Sequence, residues 1–202
     1  MADVDMLENI FGSRERARLV RFFIQNPQQI FIFSEIIKKN MLKSSKTRSE
    51  LQNLLKIKFI LKRTKKGKNF YQLNLNFNFY PELRNLVIKA NTYPQCKSLE
   101  RLKKIGNMKL IVISGVFINY TKGKADMILV GDSISKAKLR NVMKNLEAEI
   151  GKEINFVLMT MDEFKYRMNM LDKFVLGFLE GPHEEIVNKI TGLKQIIAKR
   201  KL

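Results

Sequence analysis

Cysteine and histidine are nearly missing from this 202-residue chain, with one of each, Cys96 and His183. A single cysteine excludes an intramolecular disulfide and any cysteine-cluster metal site, and a single histidine leaves no histidine pair for zinc. Glycine (10) and proline (4) are scarce and no low-complexity tract interrupts the chain, so the composition argues for a folded protein. Long hydrophobic runs are absent too. The longest, Leu110 to Ile118 with Ser114 and Gly115 inside it, falls far short of the roughly 18–20 residues a bilayer span requires. The opening MADVDMLENIFGS is acidic and has no basic segment leading into an apolar one, so it does not read as a secretory signal. A cytoplasmic protein of two small domains is expected.

Acid is the other scarcity. Asp and Glu number 19 against 38 Lys and Arg, a net charge of +19, which makes a polyanion the natural partner. A Lys-, Asn- and Ile-rich composition can also arise from codon bias, so distribution matters more than the total. Between Ile30 and Phe70 lie 12 bases (Lys38, Lys39, Lys43, Lys46, Arg48, Lys56, Lys58, Lys62, Arg63, Lys65, Lys66, Lys68) and only two acids, Glu35 and Glu50. That concentration is a patch, which a uniform codon bias does not produce.

Period and punctuation organise this region. SRERARLVRFFIQNP offers Ser13 as N-cap, apolar positions Ala17, Val20 and Ile24, and a stop at Pro27, which predicts a helix. After an extended Phe31–Phe33, Ser34 can cap a short helix, SEIIKKN, with Ile36 and Ile37 inward and Lys38 and Lys39 in water. A third helix is predicted over SSKTRSELQNLLKI, capped by Ser44 or Ser45, or by a Thr47-x-x-Glu50 capping box, with Leu51, Leu54 and Leu55 as its buried stripe. Lys43 precedes it, and Lys46, Thr47, Ser49 and Gln52 are expected on its outer face with Arg48 at the edge. Phe59–Arg63 and Phe70–Leu75 then read as strands around a loop from Thr64 to Asn69, a hairpin with a cationic tip. Three helices and a basic hairpin are the order of a winged helix-turn-helix, whose third helix enters the major groove while the wing touches phosphates. In that arrangement Lys46, Thr47, Arg48 and Gln52 approach bases, Lys43 and Ser44 also lie against the DNA, and Arg63, Lys65, Lys66 and Lys68 contact the backbone of double-stranded DNA.

The segment YPELRNLVIKANTYPQCKSLERLKKIGN carries two helical runs, 82–90 and about 95–104, broken at Tyr93-Pro94. It either fixes the halves at one angle or pairs with a second chain as a homodimer, and its residues leave both open. From Met108 the pattern is βαβ: KLIVISGVFI and ADMILVG are continuous apolar runs of the kind buried on both faces of a sheet. SISKAKLRNVMKNLEAEIG is helical with Ser133 as cap, INFVLM is a further strand, Thr160-x-x-Glu163 caps another helix, and LDKFVLGFLEGP ends the layer. The expected fold class is α+β, with a winged helix-turn-helix over 1–80, a helical connector over 81–106 and a small α/β domain over 107–202.

The stretches FGSRERARLVRFFIQNP, TRSELQNLLKIKFI, YPELRNLV, GVFINYTKGKADMILVGD, EAEIGKEINFVLMTMDEFKYR and DKFVLGFLEGPH, in this order, resemble a family of small cytoplasmic transcriptional regulators with an N-terminal winged helix and a C-terminal minimal nucleotidyltransferase-like domain. An active nucleotidyltransferase has a Gly-Ser turn after the first strand, Asp-x-Asp on the second and a third carboxylate on a later one, because two metal ions on a triphosphate need clustered acids. The resemblance places Ile118 and Asn119 at the Gly-Ser turn, Lys124 at the first Asp, Asp126 at the second and Asn155 at the third carboxylate. One ligand of three remains, so no catalytic residue, metal or cofactor is expected, and a polar contact of Asp126 with Lys124 or Asn155 is the simplest role for the acid. Asp132 and Asp162 are the nearest substitutes, and each has a plainer place, at a strand end and in a first helical turn. His183 and Cys96, with Lys97 beside it, read as structural. Rival readings are a minimal nucleotidyltransferase, a regulator that binds a nucleotide in the vestigial cleft, and an RNA-binding protein.

Overall fold

The computed structural model of the protein describes residues 6–90, 96–120 and 122–193. The fold is α+β, and the chain divides into two compact units. Of the described residues, one unit holds those as far as Lys97 together with Lys144–Glu153, and the other those from Ser98 to Met143 and from Ile154 onward.

In the first unit the helices are α1 (Met6–Phe11), α2 (Arg14–Gln25), α3 (Phe33–Asn40), α4 (Ser44–Lys56) and α5 (Tyr80–Ala90), and the strands are β1 (Phe31–Ile32), β2 (Ile60–Lys65) and β3 (Lys68–Leu73). The strands form an antiparallel sheet in the order β1-β3-β2. Ser13 caps α2 as predicted, its hydroxyl accepting from Arg16 N at 3.2 Å. Every residue of α2 from Ala17 to Ile24 is buried, so this helix is the hub rather than a surface element. Phe22 and Phe23 meet Phe31 at ring-centroid distances of 4.5 and 6.4 Å, and each fully buried ring is worth about 2–3 kcal/mol of transfer free energy.

All-round burial leaves Arg18 and Arg21 inside, and the fold satisfies them with helix ends. Arg18 Nη1 donates to Asn40 O, the last residue of α3, at 2.8 Å, and Arg21 Nη1 donates to Glu149 O at 2.7 Å. Carbonyls in a last helical turn lack intrahelical partners and carry partial negative charge, so a buried guanidinium there meets both needs. Burial, then the nearby charge of Arg14, lowers the pKa of Arg18 from its ordinary value. Asn26 Nδ2 donates at 2.7 Å to both Phe22 O and Gly151 O.

Several local expectations are corrected here. Residue 33 belongs to α3, which therefore starts before Ser34; the turn is closed instead by Glu35, whose carboxylate accepts from Ile32 N at 2.9 Å. α1, unforeseen, packs Leu7 into the core. The helix expected over 82–90 begins at Tyr80 and buries Val87 in this same core. The expected Tyr93-Pro94 break and the helix start near residue 95 lie outside the described residues.

The second unit contains α6 (Lys97–Leu102, from Ser98 on), β4 (Asn107–Ile113), β5 (Met127–Asp132), the start of α7 (Lys136–Ile150), β6 (Phe156–Met159), α8 (Met161–Asn169), α9 (Lys173–Glu180) and β7 (Glu184–Asn188). The sheet order is β6-β5-β4-β7; β4 runs antiparallel to β5 and β7, and β5 parallel to β6. Thus β5-α7-β6 is the βαβ crossover, whereas β4 and β5 form an antiparallel pair. The 110–113 and 127–130 segments are buried throughout, as their unbroken apolar character requires. One face, with Leu110, Val112, Ile128 and Val130, packs on Phe164 and Met168 of α8 and Val175, Phe178 and Leu179 of α9. Thr160 caps α8, accepting from Glu163 N at 3.1 Å. Ser135, not Ser133, stands before α7: its hydroxyl accepts from Lys138 N at 3.4 Å, while Ser133 has left-handed backbone at φ 56°. Among the described residues no helix is long and apolar enough to cross a membrane.

Candidate nucleic-acid interface and the Asp126 turn

The basic patch is built on α4 and the β2–β3 hairpin. α4 begins at Ser44 with Lys43 as its N-cap and no side-chain cap, so neither serine nor Thr47 plays the capping role expected of it. The helix therefore starts three residues before Thr47, and this turns Thr47 inward. Its relative exposure is 0 % and its hydroxyl donates to Lys43 O at 2.8 Å, which satisfies the one polar group it buries. Thr47 is thus a core residue and not a base-contacting one. Glu50 does not close a capping box either; it pairs with Arg16 Nε at 2.9 Å.

Lys43, Ser44, Lys46, Arg48 and Gln52 are exposed. Arg48 lays its guanidinium over the Phe33 ring, 4.8 Å from the centroid, a stacking arrangement that pre-orders the side chain at the surface. Of the two acids in the patch, Glu35 is held by Ile32 N and Glu50 by Arg16. Lys39 pairs with Glu153. Among the described residues Lys43, Lys46, Arg63, Lys65, Lys66 and Lys68 enter no ion pair.

The hairpin is tighter than its sequence suggested. The strands run on to Lys65 and resume at Lys68, which leaves a two-residue turn, Lys66-Gly67, with φ of 48° and 72°. Positive φ at both central residues matches the right-handed strand twist; glycine meets this freely and lysine at a cost. Thr64 donates across the ladder to Asn69 Oδ1 at 2.8 Å. In the register Arg63 faces Phe70, Thr64 faces Asn69 and Lys65 faces Lys68. Like charges directly opposite each other destabilise a strand pair, so the tip is held in a self-repelling state. Every residue from Leu61 to Asn69 is exposed.

The second constellation centres on Asp126, 8 % exposed. Its Oδ1 accepts from Val116 N at 2.9 Å and its Oδ2 from Asn155 N at 2.8 Å. Its own N–H donates to Asn155 O at 2.7 Å, and its carbonyl accepts from Ser114 N at 2.8 Å. The carboxylate thereby ties the end of β4, the start of β5 and the approach to β6 into one knot. The expected Asp126–Asn155 contact exists, but through the Asn155 backbone, and Lys124 and the Asn155 side chain are exposed. β4 stops at Ile113, and a 3₁₀ turn, Gly115–Phe117, follows Ser114; Ile118 and Asn119 continue it as turn residues, with Asn119 at φ 61° and Tyr120 N closing back on Gly115 O at 2.8 Å. Gly115 has φ 53°, and a Cβ there would strike the Asp126 carboxylate. Only glycine admits that approach.

Two other acids of this unit have structural partners, and Asp162 lies in the first turn of α8 as expected. Asp132 Oδ1 accepts from Met161 N at 3.1 Å; Asp172 Oδ1 caps α9, accepting from Phe174 N and Val175 N at 2.9 and 3.0 Å. The Val175 N–H above all, with Phe174 N–H and Arg167, holds the Asp172 carboxyl below its ordinary value. His183 Nδ1 lies 2.8 Å from Gly181 O. Among the described residues no three of His, Cys, Asp and Glu gather in a way that holds a metal ion. Compared with models of protein families, with curated proteins and with solved structures, the chain matches none.

Proposed function

We propose that the chain is a DNA-binding transcriptional regulator. Its first unit acts as a winged helix-turn-helix, with α4 in the major groove and the β2–β3 hairpin as the wing, and its second unit is a nucleotidyltransferase-like domain that serves assembly or sensing without transferring nucleotides. The observation that carries the reading is the hairpin tip. Arg63, Lys65, Lys66 and Lys68 crowd a two-residue turn, Lys65 opposes Lys68, and no carboxylate among the described residues pairs with them. A row of phosphates relieves that repulsion and releases its own counterions in doing so. On α4 the side chains left to read bases are Lys46, Arg48 and Gln52, the last suited to a bidentate contact with adenine and the arginine to guanine.

For the second unit, the absence of transfer activity is inferred from Asp126 standing alone: its oxygens accept from backbone amides, and among the described residues no cluster of His, Cys, Asp and Glu gathers for a metal, whereas a two-metal centre needs several acids together. The test is selection of duplex DNA from a random pool by the purified protein, followed by competition with RNA. Enrichment of a common sequence, displaced poorly by RNA, is expected. Retention of RNA in preference to duplex would overturn the reading in favour of an RNA-binding protein.

A further inference from the structure

Beside the Asp126 turn, inside the second unit, lies a cavity of about 190 Å³. Lys122 and Lys124 reach it from the loop before β5, Lys173, Phe174 and Gly177 from one face of α9, and Ser114 from the end of β4. Among the described residues no Asp or Glu lines it and the three lysines enter no ion pair. We propose that this cleft binds the diphosphate or triphosphate group of a small molecule without a metal ion.

Three lysines lining one concavity, all of them exposed, concentrate positive potential there. A diphosphate carries about the charge that compensates three lysines, and its several oxygens accept from all of them at once. The α9 N-terminus supplies little of the attraction, because Asp172 already takes the N–H groups of Phe174 and Val175. The Ser114 hydroxyl is likewise committed, donating to Pro182 O at 2.7 Å. Recognition therefore falls to the lysines. With no carboxylate among the described lining residues, Mg²⁺ gains no ligand from them, and Mg²⁺ on the phosphates cancels charge the lysines would otherwise meet. Magnesium should weaken binding, the reverse of what a metal-dependent transferase shows. Gly177 keeps the cleft open: a Cβ on it meets nothing within 4 Å, so a larger side chain fills the cavity without disturbing the helix. None of this draws on the DNA reading of the first unit.

The test is calorimetry on the full chain with orthophosphate, pyrophosphate and a nucleoside diphosphate, each with and without Mg²⁺. Pyrophosphate should bind one-to-one and more tightly than orthophosphate by about tenfold, as doubled charge in a focused potential implies. If the source is a nucleotide, the nucleoside diphosphate should exceed pyrophosphate; if it is a free polyphosphate, pyrophosphate should lead. Lys122→Glu with Lys124→Glu, and separately Gly177→Leu, should each lower affinity at least about tenfold, with a melting temperature that does not fall. No one-to-one binding at millimolar concentration, equal affinity in both variants, or tighter binding with Mg²⁺ would each overturn the proposal. So would loss of duplex-DNA affinity in the double lysine variant with no phosphate bound by the parent, which would make these lysines part of a nucleic-acid surface.

Discussion

Replacing Lys65 by Glu should make the protein more stable and a weaker DNA binder at once, and this opposition of signs separates a functional wing from a merely solvated hairpin. In the native register Lys65 faces Lys68, so the substitution converts a like-charge pair into an attractive one. Both side chains reach into water, and screening discounts the gain to a few tenths of a kcal/mol. For a unit of this size that amounts to roughly 2 °C in melting temperature. Binding moves the other way. Each lost phosphate contact takes about 0.9 from the slope of log affinity against log salt and, at 0.1 M salt, about eightfold from the affinity itself. Adding Lys66→Glu removes a second contact, for roughly sixtyfold in all and a slope smaller by about 1.8. The loss should be the same for every duplex sequence, because phosphates carry no sequence. Fluorescence anisotropy with two unrelated duplexes across a salt series, with thermal melts alongside, reads both quantities. An unchanged salt slope would refute the wing assignment. A melting temperature that falls would show that weakened binding reports a damaged hairpin, and the reasoning would fail there too.

Two further outcomes follow from the second unit. Gly115→Ala forces a side chain into a left-handed position and against the Asp126 carboxylate, so denaturant titration should show a loss of about 2–4 kcal/mol, whereas Gly177→Ala should cost far less. Asp172, whose carboxyl is held below its ordinary value of 3.8 chiefly by the Val175 N–H, contributes stability that is whole above that value and disappears as pH falls through its lower folded value; melts of Asp172→Asn and the parent should therefore converge below about pH 4, and a gap that widened there would contradict the cap.

The helices of the first unit were legible because their signals are local. Ser13, the spacing of Ala17, Val20 and Ile24, and the pair Asn26-Pro27 act within a few residues of one another, and α2 obeys them. α4 misled for the same reason. Thr47 and Glu50 fit a capping box, but Glu50 is claimed by Arg16, 34 residues away, and the helix starts a turn earlier. The face of Thr47 then follows from the phase of the helix, which local pattern did not fix. Lys66 hid the tight turn, since lysine is a poor advertisement for positive φ. β7 went unseen because EEIVN is short and half-polar, and becomes a strand only by pairing with β4 some 75 residues earlier in the chain. At Asp126 the sequence showed an isolated acid; that its partners are main-chain amides of residues 116 and 155 is information that side-chain identities do not carry.

Arg21 and Asn26 donate to Glu149 O and Gly151 O, 128 and 125 residues downstream. During synthesis the donors emerge long before their acceptors exist, so the amino-terminal half cannot finish its interior as it leaves the ribosome, unlike domains that close one after another. Two buried polar side chains gain these acceptors only from a stretch of ten residues made much later, and each hydrogen bond of that kind contributes about 0.5–1.5 kcal/mol, more for the charged arginine. Anyone grafting the basic unit onto another protein must therefore carry residues 144–153 along with it: the piece that can be moved intact is discontinuous in the gene.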